Sequence, residues 1–235
     1  MKLRLLAATV AALTLASGAA AAQDTSTEQG QLSYALGYDL GRNLVESGEQ
    51  INVETVVQAL RDGYARKDPT VPVEQLRTAV ENMQQRQMAR AQEAFNQASA
   101  ENKTKSDAFL AQNRAKSGVQ TTESGLQYRV IEAGSGARPT AQSQVQVHYK
   151  ASLPEGPTFI DTSAPREGGQ QGGPVTMTVG EIPLAGLREA IGMMQSGARW
   201  EVVLPPDIAY GNTPQSPIGP NQAVVFEVQL VSINN

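Results

Sequence analysis

After the first two dozen residues, apolar positions recur with a helical period. Leu32, Leu36, Leu40 and Leu44 stand four residues apart and predict an amphipathic helix. Ser33, Gly37 and Gly41 follow the same spacing on a neighbouring face. A glycine inside a helix costs about 1 kcal/mol against alanine. Two on one face therefore predict that another backbone approaches closely there, the alternative being a merely weak helix. Ser47-Gly48 breaks the pattern, and Asn52 reads as the N-cap of a second helix whose apolar face is Val53, Val56, Val57, Leu60 and Tyr64. Pro72 suits the start of a third helix and Gly118 its end. Between them lie neither proline nor glycine, and good helix formers dominate. At 1.5 Å per residue such a helix is about 65 Å long. Leu76, Val80 and Met83 make its beginning amphipathic, whereas residues 97–106 are polar almost all round. That middle is expected to bridge two bodies through solvent, and to hinge or fray near Asn102 to Ser106. A coiled coil is the alternative, but heptads are not sustained.

From Gly118 the texture changes. Most of the glycine and proline lies here, and apolar residues alternate with period two in Leu126–Val130, Val145–Tyr149 and Val224–Leu230. One helical piece, Leu187 to Met194, interrupts the strands. The fold class is α+β: an N-terminal all-α module, a long connecting helix, and a C-terminal antiparallel sheet with one short helix on a face. The expected division is residues 1–22, 23–72, 73–117 and 118–235.

Composition and charge then narrow the function. Lys2 and Arg4, the apolar run Leu5 to Leu15 and the small residues Ser17 to Ala22 read as a cleaved export signal over residues 1–22. The apolar run is shorter than the roughly 20 residues that span a bilayer. An exported protein with no cysteine folds without disulfides and has no cysteine for lipid attachment. The expected location is the periplasm, with outer-membrane association or secretion left open. A net charge of −4 gives no attraction for phosphate, and no glycine-rich nucleotide loop is present, so neither nucleic acid nor ATP is expected as a partner. Without cysteine and with one histidine, a Cys/His zinc site and a thiol nucleophile are excluded, and no metal or other cofactor is expected. His148 itself sits in an alternating run and reads as a strand-surface residue rather than a base.

An ordered set of short motifs fills the C-terminal stretch: Val147-His148-Tyr149-Lys150; Phe159-Ile160-Asp161-Thr162-Ser163; Pro183-Leu184-Ala185-Gly186-Leu187; Met193-Met194; Trp200-Glu201-Val202; Leu204 to Gly211; and Ile218-Gly219-Pro220-Asn221 leading to Phe226. In this order and spacing the stretch resembles the FKBP-type peptidyl-prolyl cis-trans isomerases. Upstream, Leu32 to Gly37, Glu101-Asn102-Lys103, Ala108-Phe109-Leu110 and Ser124 to Tyr128 resemble the Mip/FkpA branch of that family. The resemblance implies a helical dimerisation module ahead of the isomerase domain, unfolded or proline-containing polypeptides as substrates, and macrolides of the FK506/rapamycin type as candidate inhibitors. It also implies roles for Tyr149, Asp161 and Tyr210 as catalytic residues, with Phe159, Ile160, Pro183, Leu184, Leu187, Ile218 and Phe226 binding substrate. The Tyr210 hydroxyl and the Leu184 backbone N–H would hold the substrate carbonyl, and Asp161 would be a buried, orienting carboxylate.

Four positions depart from the family pattern. Pro157 is an apparent insertion, so either Phe159 or Ile160 fills the aromatic wall position, and the register of Asp161 favours Ile160. Leu187 stands where many members carry the tryptophan of the pocket floor, Gly219 where proline is common, and Ala151 where glycine is usual. The pocket stays apolar but becomes less aromatic, which bears on macrolide affinity more than on catalysis. Core packing is the alternative role for Leu187 and Phe226. Three functions fit the sequence: an isomerase acting on exported polypeptides, an ATP-independent holdase chaperone, or an inactive client-binding adaptor.

Overall fold

The computed structural model describes residues 25–165 and 172–234; the expected signal segment lies outside them. Three helices come first: α1 (Glu28–Glu46), α2 (Val53–Tyr64) and α3 (Val73–Arg114). The first two have side-chain caps at their starts. The Thr27 side chain accepts the Gly30 N–H at 3.1 Å, and Asn52 accepts the Thr55 N–H at 2.9 Å, the cap its position predicts. Gly48, with φ of 65°, turns the chain out of α1 at little cost, and Gly118, with φ of 79°, lies in the turn between α3 and the first strand.

The strands are β1 (Val119–Thr121), β2 (Gln127–Glu132), β3 (Gln144–Ser152), β4 (Thr158–Asp161), β5 (Val175–Thr178), β6 (Arg199–Leu204) and β7 (Val224–Asn234), with α4 (Ala185–Met193) before β6. They form one antiparallel sheet in the order β1-β2-β6-β7-β3-β4, with β5 also paired to β3. Register explains the core. Trp200, Val228 and Tyr149 lie in one cross-strand row, and Val202, Phe226, Ala151 and Ile160 in the next. Residues two apart share a face, so this face is continuously apolar, and α4 covers it with Leu187, Ala190 and Ile191. The opposite row, Arg129-Glu201-Glu227-Lys150-Asp161, is charged.

The chain divides into two compact units between Gln87 and Met88, inside α3. The sequence expectation treated 73–117 as a separate connecting segment. Instead, residues 88–114 belong with the C-terminal unit, and the polar middle of the helix is not surrounded by solvent. Ser99, Ser106 and Asn113 are buried. Ser99 and Ser106 bond to the chain around residues 212–223. Asn113 donates to Gln127 Oε1, and Gln127 donates to the Leu110 carbonyl, both at 2.9 Å. This explains why Gln127, outward-facing in a simple alternation, is fully buried.

In the N-terminal unit α1 and α2 have no buried residue. Leu32, Leu36 and Leu40 are exposed. The Glu49–Arg86 ion pair, at 2.6 Å, ties the α1–α2 connection to the first part of α3.

Gly186 sets how closely α4 approaches the sheet. A methyl group there would stand 2.6 Å from Leu204 Cδ2 and 2.9 Å from Ile208 Cδ1, and Leu204 is fully buried. Gly186→Ala is expected to destabilise the domain by about 1–3 kcal/mol through overpacking. The check is a lowered urea midpoint with an unchanged slope.

Candidate active site

The apolar sheet face ends in a group of rings. Phe226 is buried within the core and Leu187 of α4 is 5% exposed, so both belong to the core beneath that group. Tyr149, Ile160, Leu184, Tyr210 and Ile218 are half-buried and pack onto that core from its rim. The Tyr149 and Phe226 rings lie 6.2 Å apart and tilted by 51°. Leu184 is the N-cap residue of α4, so its peptide stands at the start of that helix. Tyr210 follows the short 3-10 turn Pro206–Ile208, and the Gly211 N–H returns to the Pro206 carbonyl at 2.9 Å.

Phe159 and Ile160 divide the role that the sequence left open between them. Pairing shifts from Ala151↔Ile160 to Ser152↔Thr158, so Phe159 is the extra residue of a bulge. Ile160 stays opposite Ala151, on the row of Phe226, and points at the core. Phe159 is exposed and meets Tyr210 edge-on, with ring centroids 6.5 Å apart. Pro183 is also exposed and is not among the side chains packed onto the core; its neighbour Ile182 is buried.

Asp161 differs from the expected buried carboxylate. Alternation puts it on the charged row, opposite Lys150, whose Nζ lies 3.7 Å from its carboxylate. Its side chain is 26% exposed. One oxygen accepts the Ser163 N–H at 2.8 Å, an Asx turn that ends β4. The next residue, Thr162, is buried and was missed as a site residue. Its hydroxyl accepts the Tyr149 N–H at 3.0 Å and its own N–H donates to the Tyr149 carbonyl at 3.1 Å. Thr162 thus fixes the strand that carries Tyr149. A small hydroxyl residue directly after Asp161 was its only sequence signal. His148 lies on the outer face, with Nδ1 3.4 Å from the Ser163 hydroxyl.

Burial first, and the neighbouring Tyr149 phenol second, push the Tyr210 hydroxyl above the ordinary tyrosine value of 10.0. It therefore remains a neutral donor throughout the neutral range. Chemically the group offers an apolar wall, a desolvated hydroxyl and a helix-start amide.

Sheet, helix and rim together make an antiparallel-sheet domain whose apolar face is covered by α4 and rimmed by half-buried side chains. The family model described as FKBP-type peptidyl-prolyl cis-trans isomerase matches residues 136–231, and that of the domain amino terminal to it matches 29–130. The outer membrane protein MIP of Legionella longbeachae is 36% identical over 99% of this chain and 98% of that protein. The FKBP-type 22 kDa peptidyl-prolyl cis-trans isomerase of Escherichia coli is 37% identical over 88% of this chain and 96% of that protein. The crystal structure of FkpA from Escherichia coli superposes with a TM-score of 0.67 at 25% identity, covering 88% of this chain and 97% of that one. This chain belongs to the FKBP-type peptidyl-prolyl cis-trans isomerases, in their Mip/FkpA branch.

Because the Tyr210 ionisation is shifted upward, the hydroxyl stays neutral to higher pH than an ordinary tyrosine and its proton is lost only as pH rises through the raised value. Isomerase activity should be flat from about pH 6 to 9 on this account. In a spectroscopic titration, Tyr210→Phe should remove one late-ionising phenol.

Proposed function

We propose that the rim and floor described above speed X-Pro exchange in exported polypeptides by binding the twisted amide better than either planar form. The barrier of about 18–20 kcal/mol comes from amide resonance. A site needs no covalent step, only differential binding of the twisted state. That state has less charge separation than the planar amide, so an apolar, water-poor wall favours it. Tyr149, Ile160, Leu184 and Ile218 supply the wall, over Leu187 and Phe226. The Tyr210 hydroxyl and the Leu184 N–H hold the carbonyl. The observation that carries this reading is the packing of Tyr149, Ile160, Leu184, Tyr210 and Ile218 onto one core.

Asp161 acts through its turn, by holding the end of β4 and hence Ile160. This separates charge from shape. Asp161→Asn keeps an acceptor for the Ser163 N–H, whereas Asp161→Ala does not. On an X-Leu-Pro peptide, Asp161→Asn should stay near wild type and Asp161→Ala should fall. Tyr210→Phe should fall about 2–10-fold, the worth of one hydrogen bond. Wild-type rates in a folded Asp161→Ala would end the role given to Asp161.

The N-terminal unit favours a homodimer. Leu32, Leu36 and Leu40 lie open on α1, and a methyl group at Gly37 or Gly41 would meet nothing within 4 Å in the single chain. So few buried groups cannot hold two helices in place alone, and a second α1 on the glycine face would cover the leucines. Sedimentation of the mature chain at micromolar concentration should show a dimer, and Gly37→Leu should dissociate it. A stable wild-type monomer overturns this assembly.

Chaperone action would follow from the dimer. Two pockets in one molecule make a client's second contact intramolecular, at an effective concentration in the roughly millimolar range. The Gly37→Leu variant should then keep its rate on short peptides and lose much of its effect on proline-limited refolding. Equal refolding by wild type and variant would remove the chaperone reading. Export by the segment 1–22 fits such clients, as does the name of the Legionella relative, an outer membrane protein. Macrolide binding would be weakened by Leu187 in place of an aromatic floor.

A further inference from the structure

One loop joins Tyr210 to β7, and it carries Ile218. It has left-handed backbone at Gly211, Gly219 and Asn221, with φ of 76°, 90° and 53°. Its own turns are closed by Ser216 N–H to Thr213 O at 3.1 Å and Gly219 N–H to Ser216 O at 3.3 Å. The Asn221 N–H donates to the Gly211 carbonyl at 3.0 Å and so joins the two feet of the loop.

Both feet are also bonded to α3. The Ser99 hydroxyl donates to Asn212 Oδ1 at 2.9 Å and accepts from Asn221 Nδ2 at 2.8 Å. Asn102 Nδ2 donates to the Pro220 carbonyl at 2.9 Å. The Ser106 hydroxyl donates to the Asn221 carbonyl at 2.9 Å and accepts the Ala223 N–H at 2.8 Å. Spacings of three and seven put Ser99, Asn102 and Ser106 on one helix face. Asn212 is two residues after Tyr210, and Pro220 two residues after Ile218.

We propose that Ser99, Asn102 and Ser106 of α3 are positioning residues for the isomerase reaction, holding the loop that sets Ile218 and Tyr210 against the X-Pro bond. This rests on the isomerase reading of the pocket. None of the three lines the apolar rim; each acts through loop backbone or through Asn212 and Asn221. A wall tuned to a twisted amide works only while its parts keep their separation. A loosened loop must be ordered before an amide can bind in either state, so the cost falls equally on the planar and the twisted forms, and the loss shows as a raised KM.

The test uses the full-length mature chain as wild type, Ser99→Ala, Ser99→Thr and Asn102→Ala. Backbone amide exchange is measured over residues 211–223, and kcat and KM on a Leu-Pro peptide well below the melting temperature. Both alanine variants should speed exchange in 211–223 by about tenfold while β3 is unchanged, because only the loop has lost an anchor. Their KM should rise about 3–10-fold with kcat within about twofold. Ser99→Thr retains the hydroxyl and should restore both readouts. Alanine variants that merely melt earlier, with wild-type KM and loop exchange, overturn the proposal alone. Faster loop exchange with wild-type KM also overturns it, since the helix would then brace the loop without positioning the site. A wild-type chain that does not turn over the peptide overturns the isomerase reading itself, and the proposal with it.

Discussion

A hydroxyl or amide can be buried on a helix only if the surface it meets completes its hydrogen bonds. That constraint organises the C-terminal unit. Ser99, Ser106 and Asn113 recur every seven residues on α3 and are its buried residues. Their partners are loop groups of Asn212, Asn221 and Ala223 and the side-chain amide of Gln127 at the start of β2. The bonds are mutual. The loop donors and acceptors would be unsatisfied without the helix, and the helix has little apolar surface there to bury. A polar interface of this kind fixes register along the helix more narrowly than an apolar one, because hydrogen bonds are lost within a fraction of an ångström.

The same separation of duties runs through the proposed active site. Apolar groups make its surface, and hydrogen-bonded groups outside that surface hold it in shape. Thr162 fixes Tyr149, the Asx turn of Asp161 ends β4 behind Ile160, and α3 anchors both feet of the loop carrying Ile218. This suits a reaction whose transition state is less charged than its ground state. A carboxylate inside the wall would demand water or a counter-ion and weaken the preference for the twisted amide. Asp161 stands outside that wall, on the charged row beside Lys150.

Much of this was legible because period and chemistry agree. The alternating runs gave the central strands, Asn52 marked a helix start, and the ordered motifs from Tyr149 to Phe226 pointed to the isomerase family. The bulge at Phe159 was half legible: Pro157 signalled an extra residue, and keeping Asp161 in register favoured Ile160 as the inward side chain. Two matters were not legible. The depth of Asp161 depends on strand parity against β3, which becomes visible only when pairing is known. The docking of α3 was hidden because hydropathy counts serine and asparagine as solvent-facing. Their heptad spacing was present in the sequence, but nothing local distinguishes a polar stripe that meets backbone groups from one that meets water.

The two ends of the helical region therefore invert the usual pattern. On α1 an apolar stripe is uncovered in the single chain, while on α3 a polar stripe is covered. Each makes physical sense through its partner. Leucines gain free energy on burial against any apolar surface, at about 25 cal/mol per Å², so an uncovered stripe favours association but specifies its geometry weakly. The glycines beside it supply the missing specificity, since close backbone approach is allowed only where side chains are absent. Serines and asparagines gain little net free energy on burial but tolerate only one alignment. The proposed interface between separate chains suits the first kind. Holding the loop that carries Ile218 in a single position, within a chain where the partners are already tethered, suits the second.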